Sequence, residues 1–190
     1  MISKLSNLIT QNLLKRKVIL DDEKELYDYG LFMMISYVVF FVISMLFGIA
    51  LNIPFSSILF YISFCLVRNY AGGIHANSEL KCDIITTILI LISEIVIKIF
   101  ISYCLVSVAF VMLIISSICL CVIKPVSTLQ KEISQQEKML FHKKVIVLTV
   151  TFLIISVISM ILGINSILIP FSLGLSLANI LLIIGKLQQL

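Results

Sequence analysis

Two side chains in this sequence stand at a spacing that suits covalent chemistry: His75 and Cys82, seven residues apart in the polar stretch 68–83. A cysteine becomes an effective nucleophile when a neighbouring base takes its proton, and an imidazole is the side chain most often found in that role. The remaining cysteines single out Cys82. Of five in the chain, Cys65, Cys104, Cys119 and Cys121 fall within apolar runs, where a free thiol behaves as a small hydrophobe. An odd number, mostly in apolar surroundings, also argues against a disulfide framework. The second histidine, His142, lies in Phe-His-Lys-Lys beside an expected membrane boundary.

Spacing constrains how the pair can meet. On an unbroken helix, residues seven apart share a face but stand about 10 Å apart along the axis. Proton transfer needs about 2.6–3.2 Å between heavy atoms, so the chain must bend between them. Gly72-Gly73 permits a sharp turn upstream, and Asn77 and Ser78 are good helix-starting caps. His75 is therefore expected in a loop or turn, with Cys82 in the first turns of the following helix. Arg68 can hold a peptide carboxylate or carbonyl, or simply anchor its span by reaching to the interface. Asn69 can orient His75 or donate to an oxyanion, or serve no chemical role. No metal is expected: one Cys and one His, even with Glu79 and Asp83 nearby, lack a His-Glu-x-x-His pair or other ligand pattern. Gly72-Gly73 is not followed by the lysine-serine/threonine of a phosphate-binding loop, and no cofactor is expected.

These residues sit in a chain made for lipid. Of 190 residues, 61% are hydrophobic and 13% charged, against about 45–50% and about 25% for soluble domains. The formal charge of +4 is modest, and no basic face with interleaved aromatics suggests a nucleic-acid partner. The fold class expected is all-α and polytopic, a single integral membrane domain over 1–190. Within it, 1–29 is an interfacial amphipathic segment and 30–190 a helical bundle carrying the loop 68–83. Ile2, Leu5, Ile9 and Leu13 keep helical spacing, as in a helix lying on the membrane surface. No cleavable signal peptide is expected.

A span of about 20 apolar residues crosses the hydrocarbon. Six candidates follow: Leu31–Leu51, Ile53–Val67, Ile84–Ile101, Ser102–Ile123, Val145–Leu162 and Ile164–Ile184. The second is short, and must tilt little, thin the bilayer locally or continue through Arg68-Asn69-Tyr70 inside the protein. Paired as three hairpins, the six place 13 of the 14 Lys and Arg residues on one side, leaving only Lys98 near the other. The positive-inside rule makes the rich side cytoplasmic, with both termini and the loop 68–83. Glu94 and Lys98, four apart inside the third span, suit an ion pair facing the bundle interior, or a polar path for a substrate, or Lys98 can instead snorkel to the outer surface. Gly174 and Ala178 form a small-xxx-small pattern.

The run Arg68-Asn69-Tyr70-Ala71-Gly72-Gly73-Ile74-His75-Ala76, followed by Cys82, resembles the accessory gene regulator protein B family. These are membrane endopeptidases that process autoinducing-peptide precursors in Gram-positive bacteria. Arg, then Gly-Gly-x-His-Ala, then Cys seven residues after the His is the family pattern. The resemblance extends loosely to the basic loop that starts Lys124-Pro125. It implies Cys82 as nucleophile and His75 as its base, with Arg68, Asn69, Gly72 and Gly73 supporting or binding substrate. It also implies a cytoplasmic active site, a propeptide substrate of the AgrD type and a homodimer. The product would be a thiolactone or lactone signalling peptide. The competing expectation is a small transporter or peptide-export module without protease activity, motivated by Glu94 and Lys98.

Overall fold

In lipid the backbone must satisfy its own hydrogen bonds, and the helix does so within one segment. The computed structural model describes residues 2–72, 79–125 and 135–188, and among these there are seven α-helices and no strand. They are α1 (Ile2–Lys15), α2 (Lys24–Ala50), α3 (Pro54–Ala71), α4 (Glu79–Ser102), α5 (Val106–Val122), α6 (Gln135–Ile161) and α7 (Asn165–Leu187), with a short 3-10 turn at Asp21–Glu23. The all-α, multi-pass reading is thus observed. Among the described residues four helices are long and apolar enough to cross a membrane: α2 with its preceding turn, α4, α6 and α7. The other two expected spans are shorter. α5 has 17 residues and α3 has 18, or about 26 and 27 Å. Of the alternatives for the short second span, α3 takes continuation through Arg68, Asn69 and Tyr70, ending at Ala71.

The chain divides into two compact units, Met1–Ile43 and Ser44–Leu190. In the first, α1 turns Ile2, Ser6 and Thr10 inward, and the Thr10 hydroxyl reaches the Ser6 carbonyl (3.0 Å) and the Asp28 carboxylate (3.5 Å). Leu5 and Leu8 are exposed. The amphipathic stripe read from the sequence is therefore split. Hydroxyls find partners on the inner side, while leucines are left outward, the arrangement of a helix at an apolar interface.

In the second unit α7 is the hub. It packs against α3, α4, α5 and α6, and 78% of its apolar window is buried, against 22% for α4 and 28% for α6. Gly174 explains the closeness to α3: a Cβ there would lie 3.0 Å from the Phe60 carbonyl oxygen and 3.2 Å from the Phe64 nitrogen. Ser116 and Ser176 hydrogen-bond between α5 and α7 at 2.8 Å. Pro170 inside α7 has no N–H to give Ser166, and the Ser56 hydroxyl of α3 donates to that carbonyl instead (3.4 Å).

The hairpin turns are built alike. Asn52, Cys104 and Gly163 each have φ between 51° and 72°. In each turn that residue's N–H returns to the third residue before it, and the next N–H to the fifth residue before itself, as in Ile53 to Gly48 (2.8 Å), Leu105 to Phe100 (2.9 Å) and Ile164 to Ser159 (2.8 Å). This is the Schellman cap, which closes a helix with one left-handed residue. It lets α2–α3, α4–α5 and α6–α7 reverse within a few residues. The expected turns near Asn52–Pro54 and Gly163–Ser166 are there. Cys104 is corrected from an apolar span to an exposed turn.

Candidate active site

The expected reaction loop begins where α3 ends. Gly72 caps that helix with φ 76° and ψ −157°, a region reached almost only by glycine. Its N–H returns to the Arg68 carbonyl at 3.1 Å, and the Arg68 guanidinium donates to the Gly72 carbonyl oxygen. A cation at a helix C-terminus also complements the partial negative charge there. Arg68 thus braces the glycine that turns the chain, which gives it a structural task in addition to any contact with substrate. Asn69 is exposed in the same turn. Beyond Gly72, Gly73 and His75 lie outside the described residues, as do the helix-starting residues Asn77 and Ser78.

The chain is described again from α4, and Cys82 is its fourth residue, half-buried. That is the helix-start position the spacing calls for. Its thiol is free, as are the other four. Lys81 beside it is exposed, and the Asp83 carbonyl accepts from Thr87 at 2.8 Å.

A second element reaches the end of α3. The Tyr70 and Phe141 rings lie 5.9 Å apart, tilted by 53°, and the Lys144 ammonium sits 4.8 Å above the Tyr70 ring and 5.9 Å from that of Phe141. The first turns of α6 therefore clamp the last turn of α3 by an aromatic contact and a cation–π contact. Sequence reasoning missed Tyr70, Phe141 and Lys144. The only signal was an aromatic beside basic residues at a membrane boundary. His142 is next to this clamp, half-buried, with Nδ1 unpartnered.

Glu94 and Lys98 do not pair as expected. Glu94 is fully buried, and its Oε1 accepts from the Ser44 hydroxyl at 2.5 Å, while Oε2 has no partner. Lys98 is half-exposed, one turn nearer the helix end. From there its long side chain can reach the polar boundary.

Against known proteins, the family described as Accessory gene regulator B matches residues 4–185. Two curated proteins of Clostridium perfringens type A with AgrB-like names are similar over 89 residues, that of strain SM101 at 26% identity and that of strain 13 at 27%. In each case the alignment covers 47% of this chain and 42% of the relative. The chain thus spans less than half the length of the curated relatives it matches. No solved structure matches.

Proposed function

Since this chain belongs to the accessory gene regulator B family, we propose that it is a membrane cysteine endopeptidase. It removes the C-terminal tail of a quorum-sensing propeptide and promotes closure of the remaining peptide into a ring. The observation that carries this reading is the place of Cys82, a free thiol at the start of a membrane helix. It directly follows the polar segment that holds His75 in the family's Gly-Gly-x-His-Ala pattern.

The chemistry runs in two exchanges. His75 takes the Cys82 proton, and the thiolate attacks one backbone carbonyl carbon of the propeptide. The C–N bond breaks, His75 returns the proton to the departing amine, and the tail leaves. The peptide stays on Cys82 as a thioester. An internal thiol or hydroxyl of that peptide then attacks the thioester carbon. The bond to Cys82 breaks, the proton of the attacking thiol or hydroxyl passes by way of His75 to the Cys82 sulfur, and a thiolactone or lactone is released. Exchange of one thioester for another is nearly balanced, so the ring-closing step to a thiolactone needs no ATP. Preorganisation of the internal nucleophile favours ring closure over hydrolysis, and a site at the membrane edge limits water. Arg68 and Gly72 hold the start of the loop, and the Tyr70–Lys144 clamp holds the helix that carries it.

The reading includes a cytoplasmic site, a propeptide of the AgrD type and a homodimer. Reconstitution of the purified chain with a candidate propeptide tests it. Cleavage and ring formation by the native chain, lost in Cys82→Ala and His75→Ala while both variants still insert, is the expected outcome. Full cleavage by Cys82→Ala would end the reading.

A further inference from the structure

The bundle interior holds a carboxyl that no positive side chain neutralises among the described residues. Glu94 lies fully buried in α4. Ser44 near the end of α2 donates to Oε1 at 2.5 Å, and Oε2 is unpartnered. Ser57 of α3, also fully buried, lies beside the same carboxyl, and its hydroxyl reaches the Ile53 carbonyl at 3.2 Å. Gly48, one turn after Ser44, makes this convergence possible. A Cβ there would lie 2.6 Å from the Ser57 Cβ and 3.3 Å from the Pro54 Cα, so α2 and α3 can approach only with glycine at that point.

The surroundings are otherwise poor in charge. On α4 itself Lys98 lies one turn beyond Glu94, half-exposed and not paired with it. From residue 30 to Ala50 there is no charged residue. On α3, Tyr61 and Cys65 are the nearest titratable groups, and Arg68 is eleven residues beyond Ser57, about 16 Å along the helix and bonded to Gly72. α5 carries only the thiols Cys119 and Cys121, and α7 only Lys186 near its end. A buried carboxylate without a partner is strongly disfavoured, so whatever occupies this node must bring positive charge. Its donors are all oxygens, the kind that hard cations prefer.

We propose that Glu94, Ser44 and Ser57 form a site inside the membrane span for one small cation, a proton or Na+. Occupancy neutralises the carboxyl and fastens the end of α2 to α4. The proposal does not depend on the peptidase chemistry, and its test does not use cleavage.

The test is labelling of the full chain, purified and reconstituted in liposomes, with dicyclohexylcarbodiimide. This apolar reagent modifies proton-bearing carboxyls within membranes, and the modified peptide is read by mass spectrometry. The expected result is label on Glu94, lost in Glu94→Gln. A proton site gives label that falls as pH rises and ignores Na+. A Na+ site gives label suppressed severalfold by Na+ at fixed pH, with choline at equal ionic strength having no effect. Absence of Glu94 label at every pH overturns the proposal, as does label unmoved by both pH and Na+. Should Glu94→Gln fail to fold, Ser44→Ala keeps the carboxyl and must shift the pH or Na+ midpoint of labelling. An unmoved midpoint in that variant also overturns it.

Discussion

Cys82 and Gly72 ask for opposite kinds of experiment. Cys82 supplies the reacting atom, so Cys82→Ala should take propeptide cleavage below detection, and His75→Ala should lower it by about 10²–10⁴-fold, the range of a lost general base. Both are read by the rate of tail release from reconstituted protein. Gly72 supplies a backbone shape. At φ 76° and ψ −157° an alanine is strained by about 1–3 kcal/mol, so Gly72→Ala should slow cleavage by about tenfold or more without blocking insertion. An unchanged rate would remove that turn from the mechanism. The candidate site could be proposed in advance because Arg68, Gly72, Gly73, His75 and Cys82 lie within one short segment; of these the structure describes Arg68, Gly72 and Cys82. The clamp of Tyr70 by Phe141 and Lys144 was not. Its partners are joined by helix packing across a long stretch of chain, and residue spacing carries no record of it.

Between helices, the three hairpins depend on one left-handed residue each. Asn52 and Gly163 tolerate that conformation, whereas Cys104 at φ 51° bears a penalty of about 1–2 kcal/mol for its Cβ. Cys104→Gly should therefore raise stability by about 0.5–1 kcal/mol once glycine's extra chain entropy is subtracted, measured by thermal unfolding in detergent; a loss of stability would contradict the cap assignment. A break was expected at Ile101–Ser102, but its place at Cys104 was not legible because this turn contains neither glycine nor proline, unlike those at Asn52–Pro54 and Gly163. The crossing of α3 and α7 yields a second prediction. Gly174→Leu must push side-chain atoms into the Phe60 and Phe64 backbone and should destabilise by about 1–3 kcal/mol or more, read in the same assay. The Gly174–Ala178 pattern is common in apolar helices, and only the observed packing shows that it marks the contact at the bundle's hub. Likewise Glu94 and Lys98 had the right spacing for a pair, but spacing does not reveal that Ser44 donates to the carboxyl.

Taken over its full length, the chain reads as lipid-embedded from composition alone, and six apolar helices follow from the hydrophobic runs. The asymmetry of its basic residues leads to an orientation: reporter fusions at both termini and within the Lys124–Lys144 loop should report from the cytoplasmic side, and a fusion near Cys104 from the outer side. A periplasmic or extracellular signal from the Lys124–Lys144 loop would reverse the placement of the reaction loop. What the sequence could not supply was the arrangement of the bundle, in which α7 is surrounded while α4 and α6 face mostly outward, since apolar runs look alike whether they meet lipid or protein. The most direct measurement for the proposed chemistry is intact-mass analysis of the reconstituted protein, quenched in acid soon after mixing with its propeptide. The peptidase reading predicts an adduct equal to the propeptide without its tail, mapped to Cys82, released by hydroxylamine and absent from Cys82→Ala. Tail release with no such adduct in the native chain, or an undiminished rate of release by Cys82→Ala, would contradict it.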